Sequence, residues 1–123
     1  IVEIAANQSP DEIVEIVRIA IVTEPFVADS IMDDSMLSYP SKMIDILGAA
    51  IVALPDQVVD LVSNTLDLFP HDKEEVVTTA ISNSHLDNSR EIVNAAINSG
   101  MKEDDAIAAA IQGGASESTF AKK

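Results

Sequence analysis

The chain has no cysteine and no tryptophan, and only 3% of its 123 residues are aromatic. Without cysteine there can be no disulfide, no thiolate metal ligand and no cysteine nucleophile, and the redox compartment stays open. With so few aromatics the core has to be built from Ile, Val, Leu, Ala and Met, side chains that suit close helix packing. Basic residues are scarce too: 7 Lys and Arg stand against 21 Asp and Glu, a formal net charge of -14. Nucleic-acid binding needs clustered cations to neutralise phosphates, so this composition excludes it, and anionic membrane surfaces repel the chain as well. The same charge favours solubility and suits a basic protein partner. Long apolar runs are also missing. The longest uncharged one, ILGAAIVALP from Ile46 to Pro55, falls well short of the roughly 20 residues that span a bilayer.

Catalytic signatures are missing in the same way. There is no Gly-x-Ser-x-Gly turn, no HExxH helix and no glycine-rich phosphate loop, so no enzyme is expected and no catalytic or cofactor-binding residue is assigned. The carboxylate pairs Glu74-Glu75 and Asp104-Asp105 are adjacent in sequence, which on a helix points them about 100° apart rather than at one substrate. His71 and His85 fall in predicted turns, near Asp72 and Asp87, at a spacing that matches no compact zinc motif. Asp29, Asp33 and Asp34, with Ser30, have the donors for a divalent cation but lack the alternating Asp-Gly pattern of a calcium loop. They read as a solvated acidic face near a helix start, where negative charge suits the macrodipole. No metal site or cofactor is expected.

What the chain does have is a period. Its 5 prolines stand at Pro10, Pro25, Pro40, Pro55 and Pro70, each fifteen residues after the last. The lines IVEIAANQSP, IVRIAIVTEP, IMDDSMLSYP, ILGAAIVALP and LVSNTLDLFP lead into them, and VVTTAISNSH, IVNAAINSG and AIAAAIQGG continue the rhythm without proline. Units counted from proline as position one begin near 10, 25, 40, 55, 70, 85 and 101. Positions seven, eight, eleven and twelve are apolar or small in every proline-led unit; position six is always polar. With positions four and five, these cover roughly 160° of a helix surface, wide enough to touch two neighbouring helices. The spacing predicts seven helices near 10–22, 26–37, 41–53, 56–67, 73–83, 89–98 and 103–112.

Each proline is expected to open its helix at the first position, where its missing N–H costs nothing. Capping boxes are expected at Ser9 with Glu12, Asp72 with Glu75, and Asn88 with Glu91. Gly100 reads as a residue just past a helix end, and Gly113-Gly114 as a stop. Gly48, Ala49 and Ala50, three small residues in a row, call for the close approach of another backbone, with a ligand groove as the alternative. Residues 1–114 form one helical domain, and 115–123 a flexible tail.

The unit P-x-x-[IV]-[IV]-x-[IL]-[VL]-x-x-[AST]-[IL] resembles the short helical repeats of α-solenoids such as HEAT-like arrays, over residues 1–114. That resemblance implies an all-α fold, a right-handed solenoid or superhelix of fifteen-residue units, and an adaptor or scaffold role. The leading expectation is a non-enzymatic protein–protein interaction or structural module. The alternatives are a helical accessory domain of a larger enzyme and an acidic cation-binding protein. Position six, with Glu15, Asp45, Asp60 and Glu75, suggests an acidic row that docks a basic partner. The apolar stretch Ile1, Val2, Ile4 and Ala5 suggests an end face covered by further units or by a second copy of the chain.

Overall fold

Positions eight and twelve of the proline-led units are the axis of the core. In the computed structural model, which describes residues 13–24, 26 and 28–120, Val17, Met32, Leu47, Val62 and Val77 have no exposed surface. Ile21, Met36, Ile51 and Leu66 are sealed to the same degree, and Ile81 is buried to within 1%. These residues recur four apart within each unit, so they lie one above the other on a single helix face. Position six is exposed in all five units.

Among the described residues seven α-helices carry this pattern: α1 Ile13–Thr23, α2 Ala28–Ser38, α3 Met43–Ala53, α4 Val58–Leu68, α5 Lys73–Asn83, α6 Ser89–Asn98 and α7 Glu103–Gln112. No strand occurs among the described residues. The fold is all-α. Consecutive helices touch all along the chain, and so do helices two apart. Thus α1, α3, α5 and α7 pack successively as one set, and α2, α4 and α6 as another. The wide apolar arc is what permits this, because each helix has to cover its sequence neighbour and its next-but-one neighbour together.

The helix starts differ from expectation, and the prolines are the reason. Pro40–Lys42 and Pro55–Gln57 form 3-10 turns, and the α-helices begin only afterwards, at Met43 and Val58. The residues before proline, Tyr39, Leu54 and Phe69, share nearly one geometry, with φ between -132° and -127° and ψ between 65° and 69°. Proline's ring excludes helical geometry from the residue ahead of it. The carbonyls of Tyr39, Leu54 and Phe69 then accept from the N–H groups of Lys42, Gln57 and Asp72, at 2.9 to 3.0 Å. That bond spans three residues, so the first turn closes as 3-10 before the α ladder takes over.

Caps also differ. Asp72 and Asn88 do precede α5 and α6, but neither side chain makes a capping hydrogen bond, so those two boxes do not form. The box at Ser9 and Glu12 lies outside the described residues. At the other end the glycines act as expected. Gly100 adopts φ 108°, with Met101 N–H bonded to the Ala96 carbonyl and Gly100 N–H to the Ile97 carbonyl. Gly114, at φ 118°, repeats the motif after α7, and the next residue, Ala115, is buried. Both are left-handed helix stops of the Schellman type. Within the segment predicted as a tail from Ala115 onward, Glu117–Phe120 forms a 3-10 turn, and Arg90 of α6 donates to the Thr119 carbonyl at 2.6 Å.

Position eleven shows the same site solved twice. Thr65, fully buried, donates its hydroxyl to the Leu61 carbonyl at 2.8 Å. Ser35, 2% exposed, has a buried hydroxyl with no partner among the described residues. Ala50 and Ala80 fill the equivalent places without a polar atom. A buried hydroxyl without a partner is destabilising. Ser35→Ala is therefore expected to leave stability unchanged or raise it by about 1 kcal/mol, whereas Thr65→Ala lowers it by about 1–2 kcal/mol. Urea unfolding of the two variants checks the pair, and a loss on Ser35→Ala comparable to that on Thr65→Ala overturns it.

Candidate functional site

Two surfaces face outward, one from each helix set, and they differ in chemistry. On the proline-led helices α1 to α5, positions six, ten and thirteen point away from the buried positions eight and twelve. In the even set these are Ser30, Asp34 and Leu37 on α2, and Asp60, Asn64 and Asp67 on α4, a mostly polar and acidic face. Asn64 donates to Asp33, tying α4 to α2. In the odd set they read Glu15, Ile19, Val22 on α1, then Asp45, Ala49, Val52 on α3, then Glu75, Thr79, Ser82 on α5. Thus α1, α3 and α5 each show an acid first and two uncharged residues after it.

The predicted acidic row is accordingly split. Glu15, Asp45 and Glu75 stand on successive helices of the odd set, and Asp60 belongs to the even set and points the other way. Alternate units enter alternate sets, a fact invisible in a period of fifteen. Glu15 is also partly spoken for. Arg18 pairs with it, and the Arg18 Nε donates to the carboxylate at 3.1 Å. This hydrogen bond, with the guanidinium charge, holds the Glu15 carboxyl below its ordinary value. Because the folded value lies below the unfolded one, the pair's small contribution is complete above the ordinary carboxylate range. It is lost as pH falls through the folded value. The Glu15 titration, followed by NMR, is expected to move up in Arg18→Ala; an unmoved midpoint means that the pair is not formed. Asp45 and Glu75 make no hydrogen bond or ion pair among the described residues.

Between α3 and α5 the odd surface sinks into a groove of about 460 Å³. Ile44, Gly48 and Ala49 form one wall, Thr78, Thr79 and Ser82 the other, and Val14 of α1 reaches its edge. A second hollow of about 330 Å³ continues it toward α7, past Glu74, Glu75 and Gln112. No lining side chain is basic. The expected backbone approach at Gly48 is not what fills that place: a Cβ there would meet the Asn83 side chain, 3.1 Å from Nδ2. The small residues open a groove instead. Its polar wall went unassigned in the sequence, although one signal was there. Positions ten and thirteen change from Ile19 and Val22, or Ala49 and Val52, to the hydroxyls of Thr79 and Ser82.

Other predicted groups stay apart. Among the described residues no three His, Asp or Glu side chains come together to hold a metal ion, so Asp29, Asp33 and Asp34 do not converge. His71 and His85 are both exposed, His71 beside a hollow of about 400 Å³ that also touches Met101 and Asp105. There Lys73 donates to the Ser99 carbonyl at 2.7 Å, a bond that ties α5 to the end of α6. Among the described residues no single helix is long and apolar enough to cross a membrane. The predicted end face at Ile1, Val2, Ile4 and Ala5 lies outside the described residues. No family model, curated protein or solved structure was found to match this chain.

Proposed function

We propose that this chain is a non-enzymatic protein-binding scaffold, an α-solenoid of right-handed superhelical sense whose outer faces engage a basic partner. The observation that carries the reading is the odd-helix face. There Ile19, Val22 and Val52 stand 53%, 51% and 62% exposed, beside carboxylates at Asp45 and Glu75 that have no ion-pair partner among the described residues. Apolar side chains left in water next to like charges are unfavourable for an isolated domain and characteristic of a surface that meets another protein. Helices that each begin fifteen residues after the last, from Ile13 to Lys73, and that touch their first and second neighbours, support the solenoid reading. In such an architecture the chain supplies a rigid surface, and specificity comes from the outward positions.

Capture of partners from the source cell, followed by elution with salt, tests the reading. Retention is expected to fall as ionic strength rises, because rim charges are screened within about 10 Å at 0.1 M salt. Charge reversal by Asp45→Lys with Glu75→Lys is expected to abolish retention and to leave the thermal melt in place, since both groups are exposed. A partner held equally by the folded double variant, or insensitive to salt, overturns the basic-partner reading.

A further inference from the structure

The outward ridges of α1, α3 and α5 are arranged as parallel rows across the helices, and rows of this kind select a ligand shape. Position six contributes carboxylates from Glu15, Asp45 and Glu75. About 6 Å further along each helix, position ten contributes Ile19, Ala49 and Thr79. Position thirteen then adds Val22, Val52 and Ser82. The groove between α3 and α5 lies within these rows, with Gly48 and Ala49 in one wall and no basic side chain in its lining. Neighbouring helices pack about 9 Å apart, so the carboxylate row repeats at about that interval, and the apolar pairs Ile19–Ala49 and Val22–Val52 do the same before hydroxyls follow on α5. On a single α-helix, residues i and i+7 recur on one face about 10 Å apart. The two spacings nearly coincide.

Resting on the scaffold reading above, we infer that the odd-helix face receives an amphipathic α-helix of the partner, lying across α1, α3, α5 and α7. Its apolar face covers Ile19, Ala49 and Val52, and a Lys or Arg flank repeating at i and i+7 meets Asp45 and Glu75. Three helix spacings come to about 27 Å, the length of roughly 18 helical residues. Charge complementarity selects the flank: Asp45 and Glu75 are unpaired among the described residues, and Arg18, already held by Glu15, does not compete for them. The small side chains at Gly48 and Ala49 select the face, because a docked helix needs room to bring its own side chains close. The even face shares the acidity but has no apolar row. Asp34, Asp60 and Asp67 are charged there, and Leu37 is its one large apolar side chain at an outward position of α2 or α4.

Two synthetic peptides of about 18 residues test this directly, sharing one Leu-Ala face and differing only in a Lys or a Glu flank. Fluorescence anisotropy is expected to show the Lys-flanked peptide binding the whole chain, and the Glu-flanked one at least about tenfold more weakly. Val52→Lys and Ile19→Lys, both at exposed positions, are each expected to weaken the Lys-flanked peptide by about tenfold without shifting the melt. Asp45→Lys with Glu75→Lys acts in the same direction. Asp60→Lys with Asp67→Lys, on the other face, changes binding by less than about threefold. Equal losses from the two double variants mean that only bulk charge is felt; that result overturns the helix-binding site and leaves the scaffold reading intact. A Lys-flanked peptide that does not bind the folded chain, or that ignores Val52→Lys and Ile19→Lys, also overturns it.

Discussion

Ser63→Pro is expected to cost about 3 kcal/mol or more, while Pro55→Ala costs about 1 kcal/mol or less. Both changes fall within one unit, eight residues apart, so the contrast isolates backbone position. Ser63 sits in the middle of α4, Val58–Leu68, where its N–H belongs to the i to i−4 ladder. Proline there removes that bond and drives its ring against the Val59 carbonyl. Ser63 is only half-buried, so little core contact is lost with it, unlike a change at Leu61 or Val62. Pro55 stands at the mouth of the 3-10 turn Pro55–Gln57, is exposed, and follows Leu54 at φ -128°. Alanine accepts that geometry, and the cost is chiefly the added freedom of the unfolded chain. A domain of this size has stability on the order of 10 kcal/mol, so the first change removes a large share of it. Urea unfolding monitored by circular dichroism measures both, and comparable losses would show that the turn and helix are assigned the wrong way round.

Gly113→Ala is expected to cost about 1–3 kcal/mol, the most among equivalent changes at the chain's glycines. A Cβ at Gly113 would lie 2.6 Å from the Thr78 carbonyl oxygen and 2.9 Å from the Ile81 Cβ. Neither is the loose end of a flexible side chain, so α7 has to move away from α5. Two hydrogen bonds hold the same contact, Thr78 Oγ1 to the Ala109 carbonyl at 3.0 Å and Ser82 Oγ to the Gly113 carbonyl at 3.2 Å. Moving α7 loosens both. The backbone of Gly113 is ordinary, with φ -80°, so the effect is one of space alone. Gly114 is the reverse case: open space around it, but φ 118°. There alanine costs about 1 kcal/mol through backbone strain. Gly48→Ala meets only the amide end of Asn83, which can swing aside, and is expected to be the mildest. Chemical unfolding ranks the three, and amide exchange in α7 reports whether Gly113→Ala acts there. Unchanged protection of α7 would remove the close-approach explanation.

These two cases also show why parts of the molecule were legible in advance and others were not. The helical period, the burial of Val17, Met32, Leu47, Val62 and Val77, and the stops at Gly100 and Gly114 follow from rules that act within a few residues. A side chain four positions on shares its face, and a glycine past a helix end takes the left-handed turn, whatever the rest of the chain does. The prolines were legible only in part. Their spacing marks each unit, but the bond from Lys42 or Gln57 back to the residue before proline decides that a 3-10 turn comes first.

The surface needed the tertiary structure. Glu15, Asp45, Asp60 and Glu75 occupy one register position, and nothing local separates them. Helix packing does, by sending α1, α3 and α5 to one set and α4 to the other, so that Asp60 leaves the row. Gly48 and Ala49 announced a close approach, but whether a backbone, a side chain or open space lay opposite was settled by Asn83 and by the groove beside it. Gly113 looked like a simple stop, and contact with Thr78, thirty-five residues earlier, gave it its second role. By itself the sequence determined which residues form helices and which of their faces turn inward, because hydrogen-bond period and hydrophobic spacing are properties of neighbours along the chain. Which outward faces stand side by side was decided by the tertiary structure alone, because that depends on contacts between helices two units apart.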